Sequence, residues 1–122
     1  MGMKIHDPNR VRIDLRDSAE DDTTIVYTVP AGHIFYLEEC DLTPWNNEVG
    51  VMLAWARNEA LETIRGLASL QIMSEAGAYC SDHAIFPSYI ELIAGDEICV
   101  SSDTAGLEVM LTISGFLVLV TS

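Results

Sequence analysis

Basic residues are scarce in this sequence, and their scarcity excludes two classes of partner. The 122 residues contain six Lys or Arg against nineteen Asp or Glu, which gives a formal net charge of −13 at pH 7. Proteins that bind nucleic acid or anionic membrane surfaces meet the phosphates with clustered Lys and Arg. We therefore expect no nucleic-acid partner and no membrane partner.

Long hydrophobic runs are also missing. The apolar run at residues 116–120 is far shorter than the ~20 residues that span a bilayer. The first 16 residues are charged and contain no signal-peptide core. Hydrophobic residues make up 49% of the chain, enough for the core of one domain of this length. These features predict a single-domain protein synthesised in the cytoplasm.

Residues that carry chemistry are few and widely spaced. The three cysteines form no Cys-x-x-Cys pair, so we expect buried free thiols rather than a zinc site or a disulfide framework. The three histidines are well separated along the chain, whereas metal sites usually gather two or three. No Gly-x-Ser-x-Gly elbow or glycine-rich phosphate loop occurs. We predict no catalytic, metal-binding or cofactor-binding residue, and no enzyme activity; the residues concerned are Cys40, Cys80, Cys99, His6, His33 and His83.

Short apolar segments separated by Pro, Gly, Asn and Asp turns dominate the rest of the chain. Residues 107–114 alternate apolar and polar side chains, as a half-buried strand does. Roughly seven to nine such segments predict an all-β fold, an antiparallel β-sandwich or jelly roll. Gly115 predicts a bulge or bend in the last strand.

Glu38 conflicts with the alternation of its own strand. In a regular strand over residues 34–42 it shares a face with the apolar residues Ile34, Tyr36, Cys40 and Leu42. Either a β-bulge shifts the register there, or this carboxylate faces a partner.

The stretch 58–66 favours a short helix or a turn, followed by a strand over 67–73. Asn58 fits an N-cap, Gly66 a C-terminal cap, and Arg65 the last turn. A pair of strands is the alternative, so we expect at most one short helix. Trp55, in the middle of the preceding strand, is expected in the core.

The charge is distributed unevenly along the chain. Residues 1–16 hold four basic and two acidic residues, a net charge of +2, and the remaining residues carry −15. We divide the chain into an N-terminal arm, residues 1–22, and a jelly-roll domain, residues 23–122. Because Val11, Ile13 and Leu15 alternate with charged residues, the arm is predicted to form a half-buried strand. It would dock on an acidic surface of its own body or of a neighbouring subunit. The alternative is a solvated tail that frays.

Residues 51–56 and 116–120 are apolar on both strand faces, which suits a strand with one face in the core and the other against a second subunit. Trp45, in a polar loop, is a further contact candidate because Trp contributes strongly at interfaces. Together with the arm, these segments give the predicted interface residues: Arg10, Arg12, Arg16, Val11, Ile13, Leu15, Trp45, Phe116, Leu117 and Leu119.

Three segments together resemble a known group of proteins. They are TVPAGHIFYL at residues 28–37, FPSYIELIAGDEI at 86–98 and VMLTISGFLV at 109–118. Their order resembles small jelly-roll virion proteins of tailed bacteriophages, namely capsid decoration (cement) proteins and tail-tip or fibre modules. The resemblance spans roughly residues 24–120. It implies a jelly roll that acts by assembly, as a homodimer or homotrimer, without catalytic residues.

The first expectation is therefore a decoration protein that binds the major capsid protein on the capsid exterior, after synthesis in the host cytoplasm, and stabilises the shell. Two alternatives stay open. One is a tail or fibre module that binds a host-surface glycan through loops at Trp45 or Tyr79. The other is a small cupin-like metal enzyme, although the His-x-His pair of cupins is absent.

Overall fold

The structure, a computed structural model, describes residues 10–18, 23–44, 50–72, 82–103 and 108–120. Strands account for most of these residues, and no helix occurs among them. In chain order the strands are β1 (Arg10–Ser18), β2 (Thr24–Thr28), β3 (His33–Pro44), β4 (Gly50–Arg57), β5 (Thr63–Ile72), β6 (Asp82–Ile93), β7 (Glu97–Ser102) and β8 (Glu108–Leu119).

The strands form two antiparallel four-stranded sheets. Sheet A has the order β1-β8-β3-β6 and sheet B the order β2-β7-β4-β5. Chain neighbours such as β1 and β2, or β7 and β8, lie in different sheets, which is the connectivity of a jelly roll. The predicted antiparallel β-sandwich with jelly-roll topology is confirmed.

The core lies between the inner faces of the two sheets. Alternate residues of each strand point inward, because successive side chains of a strand lie on opposite faces. Phe35, Leu37 and Leu42 of β3 are fully buried opposite Met52 and Ile98 of sheet B. The same alternation places Trp55 on the outer face of sheet B, between the buried residues Ala54 and Ala56. The expectation that Trp55 lies in the core was wrong, because apolar residues on both faces of β4 concealed which face is inner.

The N-terminal segment belongs to sheet A. β1 pairs with β8 along its full length, from Arg10 opposite Phe116 to Ser18 opposite Glu108. The strand predicted from the alternation of residues 11–16 is confirmed, and its pairing partner is its own chain. β1 is an edge strand, with no second neighbour in the described part of the chain. The boundary at residue 22 between arm and domain stays a prediction.

Of the short helix or turn that the sequence favours at 58–66, the turn is observed: residues 58–62 close a β-hairpin between β4 and β5. The strand expected from residue 67 already begins at Thr63. The Asn58 side-chain oxygen accepts a hydrogen bond from the Glu62 amide at 3.0 Å, and the Leu61 amide donates to the Asn58 carbonyl at 2.9 Å. Leu61 has φ 65°, the left-handed conformation that closes a three-residue hairpin loop. Asn58 therefore caps one turn, as it would in a helix, but the chain then reverses into β5 instead of continuing.

A β-bulge lies at Glu38, one of the two outcomes that its sequence position predicted. The pairing of β3 shifts between Leu37 and Glu39 on both of its sides, against β6 and against β8. Gly115 of β8 lies opposite Leu37. A Cβ atom at this position would collide with the Tyr36 backbone oxygen and lie 2.9 Å from the Phe35 ring. The bulge thus requires glycine on the neighbouring strand.

Gly115→Ala should lower the free energy of unfolding by about 1–3 kcal/mol, the usual range for overpacking a close contact. Gly66→Ala is the matched control, because no atom lies within 4 Å of an added Cβ there. That variant should be neutral or up to about 1 kcal/mol more stable, since alanine reduces the entropy of the unfolded chain. Urea unfolding measures both, and equal stability of the two variants would contradict the packing at the bulge.

Candidate functional site: an apolar outer face of sheet A

The predicted interface residues fall mainly on two adjacent strands. Those of the arm lie on β1 and those of the C-terminal segment on β8, which pair with each other. The register places Arg10 opposite Phe116 and Val11 opposite Gly115. Trp45 and Tyr79 lie outside the described residues. Two segments chosen separately from the sequence are therefore neighbours in sheet A.

The three predicted residues of β8 differ in their surroundings. Phe116 is paired with Tyr36 on the outer face and is partly buried. Leu117 packs against the core. Leu119 lies at the end of the strand with 62% of its surface exposed. Leu117 therefore belongs to the core, whereas Phe116 faces outward and Leu119 is exposed at the end of the strand.

An apolar surface covers one end of the outer face of sheet A. Ile34 of β3 lies between Val118 of β8 and Ile93 of β6 in the register, so the three form a row across the sheet. Ile93 is 56% exposed and Val118 41%. The next row contains Tyr36 and Phe116 together with the exposed Glu91 of β6, which borders the apolar surface. We call the following six residues the apolar face: Ile34, Tyr36, Tyr89, Ile93, Phe116 and Val118.

Tyr89 completes an aromatic cluster within the apolar face. Its ring lies edge-on to Phe116, with centroids 6.0 Å apart, and to Tyr36 at 6.5 Å. These are favourable geometries for aromatic pairs. Tyr89 has φ 58°, an uncommon conformation for a bulky residue, and is 43% exposed. Tyr89 therefore exposes its ring at the expense of an unfavourable backbone conformation.

Sequence reasoning missed most of this face. It assigned Ile34 and Tyr36 to the same side as Cys40 and Leu42, but the bulge at Glu38 reverses the face of everything before it. Tyr89 lies where β6 departs from regular pairing, beside Pro87. Pro87 was the available signal, since a proline inside a strand marks an irregularity.

Polar groups occupy the continuation of the same outer face beyond the bulge. The Ser114 hydroxyl donates to Glu39 Oε1 at 3.3 Å, and His83 Nε2 lies 3.4 Å from Glu39 Oε2. Serine and histidine therefore both contact the same carboxylate. The adjacent hollow, lined in part by Asp41 and Thr112, has a volume of only about 100 Å³.

The structure does not gather the histidines around one point. His33 Nδ1 lies 2.9 Å from the Ala31 carbonyl oxygen at the β2–β3 turn, whereas His83 is on β6. His6 lies outside the described residues. Within those residues, no cluster of three or more His, Cys, Asp or Glu side chains suited to a metal ion occurs. Nor does any helix in the described ranges have the length and apolarity to cross a membrane.

Both basic residues of the body contact their own chain. The Arg57 guanidinium donates to Glu97 at 2.7 Å across the outer face of sheet B. The Arg65 guanidinium lies 5.3 Å from the centroid of the Phe86 ring, a cation–π contact. The other four basic residues of the chain belong to residues 1–16.

The two described cysteines are buried thiols. Burial raises the pKa of the Cys40 thiol to about 12, and the carboxylates of Asp82, Asp41 and Glu39 add to this effect. Burial also raises the pKa of the Cys99 thiol. Since the thiolate is the reactive form, neither residue is suited to act as a nucleophile.

The fold has counterparts among solved structures. A chain of the acidic stable capsid structure of Helicobacter pylori bacteriophage KHP30 is similar, with a TM-score of 0.60 and 11% identity over 93% of this chain and 94% of that chain. A chain of the disulfide-linked pili that form Bacillus endospore appendages is also similar, with a TM-score of 0.52 and 11% identity over 88% of this chain and 86% of that chain. At such identities the likeness concerns the fold. No protein-family model and no curated protein matches this chain.

The thiols provide a test of the buried environment. In a Cys80→Ser variant, only Cys40 and Cys99 remain, and native protein at mildly alkaline pH should react with Ellman's reagent only as fast as it unfolds. Both thiols should titrate at once in guanidinium chloride. Rapid stoichiometric reaction of the native variant would contradict the burial.

Proposed function

We propose that this protein is a structural, non-enzymatic virion protein that decorates the outside of a bacteriophage capsid and reinforces the shell. The observation that carries the proposal is the apolar face of sheet A. The fold of the protein supports the virion role, because it is similar along nearly the whole chain to a chain of a phage capsid structure. In this role it is synthesised in the host cytoplasm and binds the capsid exterior.

The apolar face is unusual for a surface that meets only water. The solvent side of an antiparallel sheet is ordinarily polar. Here Tyr89 and Ile93 of β6 and Val118 of β8 expose large apolar side chains on either side of β3, beside partly exposed Tyr36 and Phe116. Contiguous exposed apolar residues mark interaction sites, and Tyr and Phe are enriched in protein interfaces. We assign this face to contacts with a second copy, in a homodimer or homotrimer, and with the major capsid protein.

The net charge favours the exterior of a capsid over its interior. A protein with −13 charges would be repelled by packaged nucleic acid, whereas on the outside its acidic body faces solvent. Arg57 and Arg65 are engaged within the body. The other four basic residues belong to residues 1–16 and include Arg10, Arg12 and Arg16, and we assign to these residues the contact with an acidic neighbour.

Purified protein should bind saturably to capsids that lack it and raise their disruption temperature. The double variant Ile93→Ser, Val118→Ser should lose most of this binding, because it removes two exposed apolar side chains without touching the core. The matched control is the double variant Ile25→Ser, Ile64→Ser. It removes two apolar side chains from sheet B that are similarly exposed, 48% and 44%, and it should bind normally. Capsid sedimentation and differential scanning calorimetry measure both effects.

Absence of binding at micromolar concentration would refute the proposal. Equal loss in the face variant and the sheet B control would show that binding does not use the apolar face.

The positive charges of the arm give a second prediction. An Arg10→Gln, Arg12→Gln, Arg16→Gln variant keeps side chains of similar length, and its capsid affinity should fall at low salt and depend less on salt than that of the unaltered protein. Titration over a range of salt concentrations measures this. Identical salt dependence in the two proteins would mean that the arm makes no electrostatic contact with a partner.

A further inference from the structure

A second surface feature lies on the other side of the sandwich. The outer face of sheet B contains an open hollow of about 610 Å³ between β4 and β5. This volume lies in the range of roughly 300–1,000 Å³ that is typical of small-molecule sites. Asp82 of β6, in sheet A, also lines the hollow, but none of the lining residues belongs to the apolar face, so both surfaces are available at the same time.

The hollow exists because of a register shift in sheet B. Ala54 pairs with Ala68, but Trp55 pairs with Gly66, so Leu67 is the extra residue of a bulge on β5. Leu67 is buried against the core. Gly66 is therefore the cross-strand partner of Trp55 and has no side chain of its own, and no atom lies within 4 Å of the place where a Cβ would be. The space that a side chain at this position would fill stays open next to Trp55.

The lining combines an apolar side with a polar rim. Trp55 and Leu53, which is 44% exposed, provide the apolar side. The hydroxyl-bearing residues Thr63, Ser69 and Ser101 and the carboxylate of Asp82 provide the rim. Asp82 Oδ2 accepts a hydrogen bond from the Ser69 amide at 2.9 Å, which fixes the position of the carboxylate. No basic residue lines the hollow among the described residues.

We propose that this hollow binds a neutral saccharide. A pyranose ring presents a face of C–H groups, which stack on an aromatic ring, and a rim of hydroxyl groups, which exchange hydrogen bonds with hydroxyls and carboxylates. Trp55 and Leu53 match the C–H face of the sugar, and the Ser, Thr and Asp side chains of the rim match its hydroxyl groups. An anionic sugar is disfavoured, because the lining carries a carboxylate without a basic residue and the whole chain carries −13 charges.

The sugar would then bind on a strand face, whereas the sequence suggested the loops at Trp45 or Tyr79. It does not depend on the proposed capsid role. If that role also holds, the saccharide site lies on the side of the sandwich opposite the apolar face.

The test uses the full chain on an array of neutral and sialylated glycans, followed by titration of the best neutral ligand with tryptophan fluorescence and saturation-transfer NMR. Trp55→Ala should weaken binding by at least about tenfold. Gly66→Val should do the same, because its side chain would occupy the part of the hollow opposite Trp55 while the indole is kept, and a Cβ there meets no atom within 4 Å. Trp45→Ala is the matched control and should bind as the unaltered protein does.

Three results would overturn the proposal: no neutral glycan bound above background, full binding retained by Gly66→Val, or binding abolished by Trp45→Ala but not by Trp55→Ala. Circular dichroism of each variant verifies that it is folded. Capsid binding measured on the same Gly66→Val protein should be normal, so failure of the saccharide site and failure of the capsid role are distinguishable.

Discussion

The bulge at Glu38 is the constraint on which the arrangement of sheet A depends. A shift of one residue in a strand exchanges its two faces. Before the bulge, Phe35 and Leu37 point into the core, and after it Cys40 and Leu42 do. Without the bulge, one half of β3 would present its apolar residues to the wrong side. β3 thus supplies core residues along its whole length only because its register shifts between Leu37 and Glu39.

The same bulge creates the apolar face. Since Phe35 and Leu37 satisfy the core, Ile34 and Tyr36 are left on the outer surface, where β8 and β6 add Phe116, Val118 and Ile93 in register. The glycine opposite the bulge, Gly115, allows β8 to approach Tyr36 closely enough for this pairing. Core packing and exposure of an apolar surface are therefore two consequences of one local irregularity.

The fold class followed from the sequence because strand alternation and turn residues are local signals. The bulge was one of two outcomes that the position of Glu38 predicted, and the strand at residues 11–16 was evident from its alternation. These local signals do not show which distant segments of the chain pair with each other. Nothing local indicates that Gly66 lies beside Trp55, so the hollow on sheet B could not be foreseen. Asn58 did not distinguish a helix from a turn at residues 58–66, because an Asn that caps a turn can begin either a helix or a hairpin loop.

The two outer faces divide the chemistry of the molecule. Sheet A is apolar at one end and acidic beyond the bulge, while sheet B carries the Arg57–Glu97 ion pair and the hollow beside Trp55. A protein that is bound through sheet A would leave sheet B open to solvent.

If copies of this protein meet through the apolar face of sheet A, its mass in solution reveals the contact, and light scattering after size-exclusion chromatography measures that mass. Such contacts should give a particle of two or three 13.4 kDa chains. A single-chain mass at every concentration would show that copies do not associate through this face.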